Sequence, residues 1–182
     1  MASTPTAAQL AAARGKTIRD VLGPGLTVVF CGINPGLYSG AVGHHFARPG
    51  NRFWPALHRS GWTDRQLAPA EDRRLLDYGC GVTNLVARTT ATAAELAPTE
   101  FVQGAHRLER KIKRLKPRCL AVLGIESYRK AFGHRPVKPG RQDLCLGGTR
   151  VWVLPNPSGL NAHYQLADFV RLFAQLRRTC CD

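Results

Sequence analysis

The sequence predicts an α/β protein built on a parallel sheet. Two observations carry that reading: four short apolar runs that are continuous rather than alternating, and helical periodicity in the stretches between them. A strand covered by helices on both faces has no wet side, so its apolar residues run unbroken. The runs are TVVFCGI (27–33), CGVTNLV (80–86), CLAVLG (119–124) and VWVLP (151–155). Helices are expected over 51–60, 69–77, 99–116 with Thr99 as N-cap, 125–132 and 163–178. The last of these ends in Arg177 and Arg178, charges that suit a helix C-terminus.

At 182 residues with 44% apolar content, the chain can bury one sizeable core. Residues 1–17, Ala-rich and acid-poor, read as a weakly ordered N-terminal extension, and 18–182 as a single domain. The extension lacks a charged segment followed by an apolar one, so it does not read as a secretory signal. No run approaches a membrane span, and a cytoplasmic placement is expected, nucleoid-associated if the source is bacterial. The six cysteines show no Cys-x-x-Cys spacing, and several fall inside strand-like runs, so buried reduced thiols are expected.

Charge narrows the partner. Lys and Arg number 26 against 12 Asp and Glu, a net +14, which fits a polyanion better than a small neutral metabolite. The excess is C-terminal: residues 101–182 hold sixteen basic and five acidic residues. Much of it lies in HRLERKIKRLKPR, where Leu108, Ile112 and Leu115 recur at helical spacing. That helix reads equally as a solvated face or as a contact for nucleic acid.

Ligands of open parallel sheets bind beyond the carboxyl ends of the strands. Asn34 follows the first run, Asn84 lies in the second and Asn156 follows the fourth, so three distant asparagines should meet on one rim. Pro35 restrains Asn34, while Gly32 and Gly36 clear space beside it. The Asn-Pro pairing recurs in PNPSGL (155–160). An amide is no base, but its oxygen can orient a water. That is enough only where the leaving group departs largely unaided, as in glycosidic cleavage through an oxocarbenium-like state with donors for the departing base.

A base pocket also needs a flat aromatic and fixed contacts to a base edge. In GHHFARPGNRFW (43–54), Phe46 could stack on a base or belong to the core. His44 and His45 lack a third ligand at useful spacing, so no metal site is expected. No phosphate-binding or dinucleotide fingerprint occurs, and no cofactor is expected. Leu160, in PSGLNAH, is either a wedge that enters a duplex or a cap on the core.

Together, GINPGL, GHHFARPGNRFW, CGVTNLVARTT and LPNPSGL resemble the mismatch-specific uracil/thymine DNA glycosylases, a branch of the uracil-DNA glycosylase superfamily, from about Ile18 to the last helix. The resemblance implies a three-layer αβα fold with a central four-stranded parallel sheet, and a monofunctional, base-flipping enzyme. It implies that Asn34 holds the attacking water. It places Ile33, Gly36, Ser39, His45, Phe46, Asn84 and Asn156 around the base, Phe46 stacking and Asn84 reading the edge. Ser158, Gly159, Leu160 and Asn161 would form the intercalation loop.

Strict uracil enzymes carry aspartate at the position of Asn34, histidine at that of Asn156 and a blocking tyrosine at that of Gly36. Slower chemistry and a roomier pocket are therefore implied, with uracil opposite guanine first and thymine or ethenocytosine admitted. Asn161 and Ala162 stand where bacterial members usually have serine and arginine. The partner implied is double-stranded DNA with a G:U or related mismatch, bound by a monomer. A non-catalytic mismatch-binding protein and a small-molecule α/β enzyme are the competing readings.

Overall fold

The four apolar runs form strands β1 (Val28–Gly32), β2 (Cys80–Asn84), β3 (Cys119–Leu123) and β5 (Thr149–Leu154) in the computed structural model, which describes residues 4–133 and 137–181. They pair in parallel, and β4 (Gly140–Leu146) adds an antiparallel edge, giving the order β2-β1-β3-β5-β4. The sheet thus has five strands where four were expected. Strand β4 alternates exposed and half-buried residues, as an edge strand wet on one face does, so it shows no continuous apolar run.

Helices α1 (Ala7–Ala12), α2 (Leu37–Val42), α3 (Phe53–Arg59), α4 (Pro98–Leu115), α5 (Ile125–Phe132) and α6 (Leu166–Cys181) complete the fold. Helix α4 is capped at Ala97 rather than Thr99. Pro98 takes the first helical position, where its missing N–H costs nothing, and the Glu100 carboxylate accepts the Ala97 N–H at 2.9 Å. The stretch Pro69–Tyr78 is 3-10 rather than α. It is interrupted at Glu71, beside Asp72, whose buried carboxylate accepts the His45 N–H at 3.2 Å.

Helix α6 starts three residues later than expected because the chain before it belongs to a loop. The N-terminal stretch is docked on the domain: Thr17 bridges Arg88, the Gly15 N–H donates to the Thr89 carbonyl at 2.9 Å, and Ala13 is buried.

Alternation along the strands divides the core in two. Val28 and Phe30 of β1, Ala121 of β3 and Trp152 of β5 face α3 and α6; Val29, Cys31, Leu120 and Val151 face α4 and α5. Phe30 anchors the first layer, stacking on Phe173 at 5.4 Å and meeting Phe53 edge-on at 5.3 Å. Cys119 and Cys180 form a disulfide across 61 residues, which corrects the expectation of reduced thiols for that pair. The contact exists because α6 returns its C-terminal end to the start of β3. Cys31 and Cys80 are buried free thiols, whereas Cys145 and Cys181 are exposed.

Helix α4 joins the end of β2 to the start of β3, and its Lys111 reaches the Thr83 hydroxyl of β2 at 3.1 Å. Lys111 pairs with Asp20 and Lys113 with Glu109.

The packing of α4 on the end of β2 rests on Gly104, where a Cβ would stand 2.5 Å from the Leu85 carbonyl oxygen. In an ordinary helix, Gly→Ala gains about 0.5–1 kcal/mol. Here Gly104→Ala is expected to lose about 1–3 kcal/mol through overpacking. Urea unfolding checks the sign, and a raised midpoint would refute this packing.

Candidate active site

The carboxyl ends of β1, β2 and β5 open into a cavity of about 420 Å3, lined among others by Asn34, Asn84 and Asn156. Its frame is a continuation of the β1–β2 pairing beyond the sheet. The N–H groups of Leu85, Val86 and Thr90 donate to the carbonyls of Gly32, Ile33 and Pro35 at 2.9, 2.9 and 3.1 Å. Pro35 offers a carbonyl and no competing N–H, so the segment after β2 follows the Asn34-Pro35 turn closely.

This frame fixes the Asn34 amide. Its Nδ2 faces the Thr90 hydroxyl at 2.7 Å, the Arg88 carbonyl at 3.0 Å and the Pro35 carbonyl at 3.2 Å. The Thr90 hydroxyl donates to the Thr92 carbonyl at 2.8 Å and so accepts from Asn34. Carbonyls accept only, so the amide nitrogen must point at this wall and Oδ1 must point away from it. That oxygen has no protein partner among the described residues. Arg88 is itself clamped by Glu100, whose carboxyl is held down to about 2 by the Arg88 guanidinium first and the Ala97 N–H second.

The floor is made by an aromatic and a second amide. Phe46 adopts a left-handed conformation, φ 52°, rare for a bulky residue and typical of places where backbone strain serves a site. Its loop is held on every side. Ser39 Oγ accepts the Ala47 N–H at 3.0 Å, the Trp54 indole donates to the His45 carbonyl at 3.2 Å, and Asp72 holds the His45 N–H. The ring stacks on Phe53 at 4.2 Å, so Phe46 serves both as core neighbour and as cavity wall. Gly32 makes this possible: a Cβ there would lie 2.5 Å from Asn84 Oδ1 and 3.3 Å from the Phe46 ring.

His45 is only 2% exposed. Burial pushes its imidazole below the ordinary value of 6.5, against the raising influence of the Arg19 carbonyl, Asp72 and Asp20. Nε2 lies 3.1 Å from the Arg19 carbonyl and must donate to it, which leaves Nδ1 as an acceptor for Asn84 Nδ2 at 3.4 Å.

The loop after β5 closes the mouth. Asn156 Oδ1 accepts the Ser158 N–H at 3.1 Å, leaving its amide N–H groups toward the cavity side. Asn161 is engaged internally, its Nδ2 on the Asn156 carbonyl and its Oδ1 on the His163 N–H. Leu160, 74% exposed, stands at the mouth and does not cap the core.

All the expected site residues line this cavity except Gly159, which packs on Gly50. The sequence reading passed over Thr90, Thr92, Ile18, Arg48 and Asn51, which also line it. Position alone could have flagged RTTATAA (88–94), since it follows directly from the carboxyl end of β2.

Residues 20–177 match the model of the family described as the Uracil DNA glycosylase superfamily. The chain belongs to that superfamily. Membership makes this protein a DNA glycosylase, a hydrolase of base excision repair acting on DNA. In this glycosylase the described residues hold no cluster of His, Cys, Asp or Glu able to bind a metal ion, and no helix long and apolar enough to cross a membrane.

The buried His45 gives the glycosylase a pH signature. A base whose folded pKa is lowered takes up its proton in the unfolded chain first, so stability rises with pH through the window below 6.5 and is fully present above it. The melting temperature is expected to climb between about pH 5 and 7 and then level. His45→Gln should flatten that climb, and an unchanged pH profile in the variant would remove His45 as its source.

Proposed function

We propose that this glycosylase flips uracil, opposite guanine in double-stranded DNA, into the strand-end cavity and hydrolyses its N-glycosidic bond, leaving an abasic site. The observation that carries the proposal is the fixed Asn34 amide, whose Oδ1 faces the cavity while its nitrogen is engaged. In that orientation it accepts a hydrogen bond from a water and directs the water's lone pair toward the anomeric carbon, and the proton released on attack goes to the departing base anion. An amide draws off no proton at equilibrium, so the bond to the base must be largely broken before the water attacks.

Catalysis then rests on stabilising the departing pyrimidine anion. Phe46 and Asn156 line the cavity, and neither the Phe46 N–H nor the Asn156 amide hydrogens have a protein partner among the described residues. The Phe46 ring offers a stacking face. Asn84, held by His45 through one N–H, presents its other polar atoms to the base edge. All these donors are neutral and held by the fold, so they need little reorganisation as charge develops. Among the described residues no lysine lines the cavity. Leu160 would fill the gap left by the flipped nucleotide. Arg48 at the mouth supplies positive charge for phosphate, and the protein would act as a monomer.

Gly36 sets the width of the pocket. A Cβ there meets nothing within 4 Å, and its φ of −78° suits any residue. Thymine and ethenocytosine therefore have room, and uracil remains the first substrate because its anion leaves without a bulky substituent to seat.

Single-turnover base release from duplexes differing at one pair tests the proposal: guanine-uracil, adenine-uracil, guanine-thymine and guanine-ethenocytosine. Asn34→Ala is expected to lose about a hundredfold or more from guanine-uracil release while keeping duplex affinity. Thr90→Val, which removes one hydrogen bond from the amide, should lose up to about tenfold. Binding without release from any duplex would establish the alternative, a mismatch-binding protein.

In the same assay Gly36→Tyr is expected to retain uracil release and lose thymine and ethenocytosine release by at least about tenfold. Equal losses on all bases would mean that Gly36 does not set pocket width.

A further inference from the structure

Among the described residues, the side-chain hydrogen bonds that join the loop from Asn156 to Tyr164 to the body of the protein all come from Arg52. Arg52 Nη2 donates to the carbonyls of Ser158 at 2.5 Å and Asn161 at 2.8 Å, and Nη1 donates to the carbonyl of Tyr164. The backbone N–H of Arg52 donates to the Pro157 carbonyl at 2.9 Å. Its guanidinium lies over the Phe169 ring, 5.3 Å from the centroid. The hydrogen bonds made by Asn156, Ser158 and Asn161 side chains stay within the loop and shape it without attaching it.

Local preference does not explain an arginine here. Arg52 is the N-cap residue of α3 and makes no side-chain cap. That position favours Ser, Thr, Asp or Asn, and a cation there opposes the helix dipole. No carboxylate pairs with it among the described residues. The two carbonyls that share Nη2 belong to residues 158 and 161, on either side of the exposed Leu160. Gly159 packs beneath them, since a Cβ there would come within 2.8 Å of the Gly50 carbonyl oxygen.

The geometry points to Arg52 as the positioning residue of this loop: its planar fork fixes the carbonyls on both sides of Leu160 and so holds the leucine over the cavity mouth. The inference rests on reading residues 158–161 as the segment that enters the duplex. Arg52 touches neither the base nor the water, so its effect on base release comes through Leu160. Lysine keeps the charge but lacks the fork that spans three carbonyls.

The test uses the full chain with a fluorescent 2-aminopurine beside the target uracil, which brightens when the neighbouring base unstacks. In the inactive Asn34→Ala background, Arg52→Met is expected to abolish the brightening while leaving duplex affinity and its salt dependence unchanged. In otherwise wild-type protein, Arg52→Met should slow single-turnover release about a hundredfold. In a Leu160→Ala background it should slow release no further. Arg52→Lys, chosen to retain fold and charge, should behave as Arg52→Met does, with melting temperatures recorded for both.

Full brightening in Arg52→Met, or an undiminished loss in the Leu160→Ala background, would overturn the inference. So would a salt slope reduced by about one, the mark of a lost phosphate contact. Wild-type protein that brightens the probe yet releases no base would sink the proposed uracil release alone and leave the role of Arg52 decided by fluorescence.

Discussion

The site depends on a backbone pairing that outlives its sheet. Past Gly32 and Asn84, the two segments continue side by side through the N–H groups of Leu85, Val86 and Thr90. This brings Thr90 and the Arg88 carbonyl to the nitrogen of Asn34, and holds Asn84 opposite Gly32. An asparagine in a free turn would sample both amide orientations. Here one orientation leaves a nitrogen on its partners, and the other would set oxygen against oxygen.

The same frame reaches outward. Arg88, whose carbonyl holds Asn34, is clamped by Glu100, and Glu100 also closes the first turn of α4 through the Ala97 N–H. Gly104 of that helix rests on the Leu85 carbonyl, at the first step of the pairing. Core packing and site orientation thus share a few atoms. On the other side, Phe46 joins the cavity to the aromatic layer through Phe53 and Phe30. The amides and hydroxyls of the site are neutral groups held in place by this scaffold.

Two amides that look alike in the sequence differ in the structure. Asn156 uses its oxygen within the loop and keeps N–H groups free, whereas Asn161 is engaged at both ends. Asn156 thus keeps both amide hydrogens and Asn161 one.

The sequence by itself determined the parallel strands, the helix Ile125–Phe132 to the residue, and the meeting of Asn34, Asn84 and Asn156 on one rim. These follow from burial on both faces and from the rule that parallel strands share one carboxyl end. It missed β4, whose half-wet face carries no continuous apolar run, and the Cys119–Cys180 pair, whose contact depends on where α6 ends. Tertiary structure alone decided which way the Asn34 amide points and what Arg52 holds. Both depend on acceptors brought from 54 to 112 residues away, and no local pattern encodes a hydrogen bond whose partner arrives only when the chain has folded.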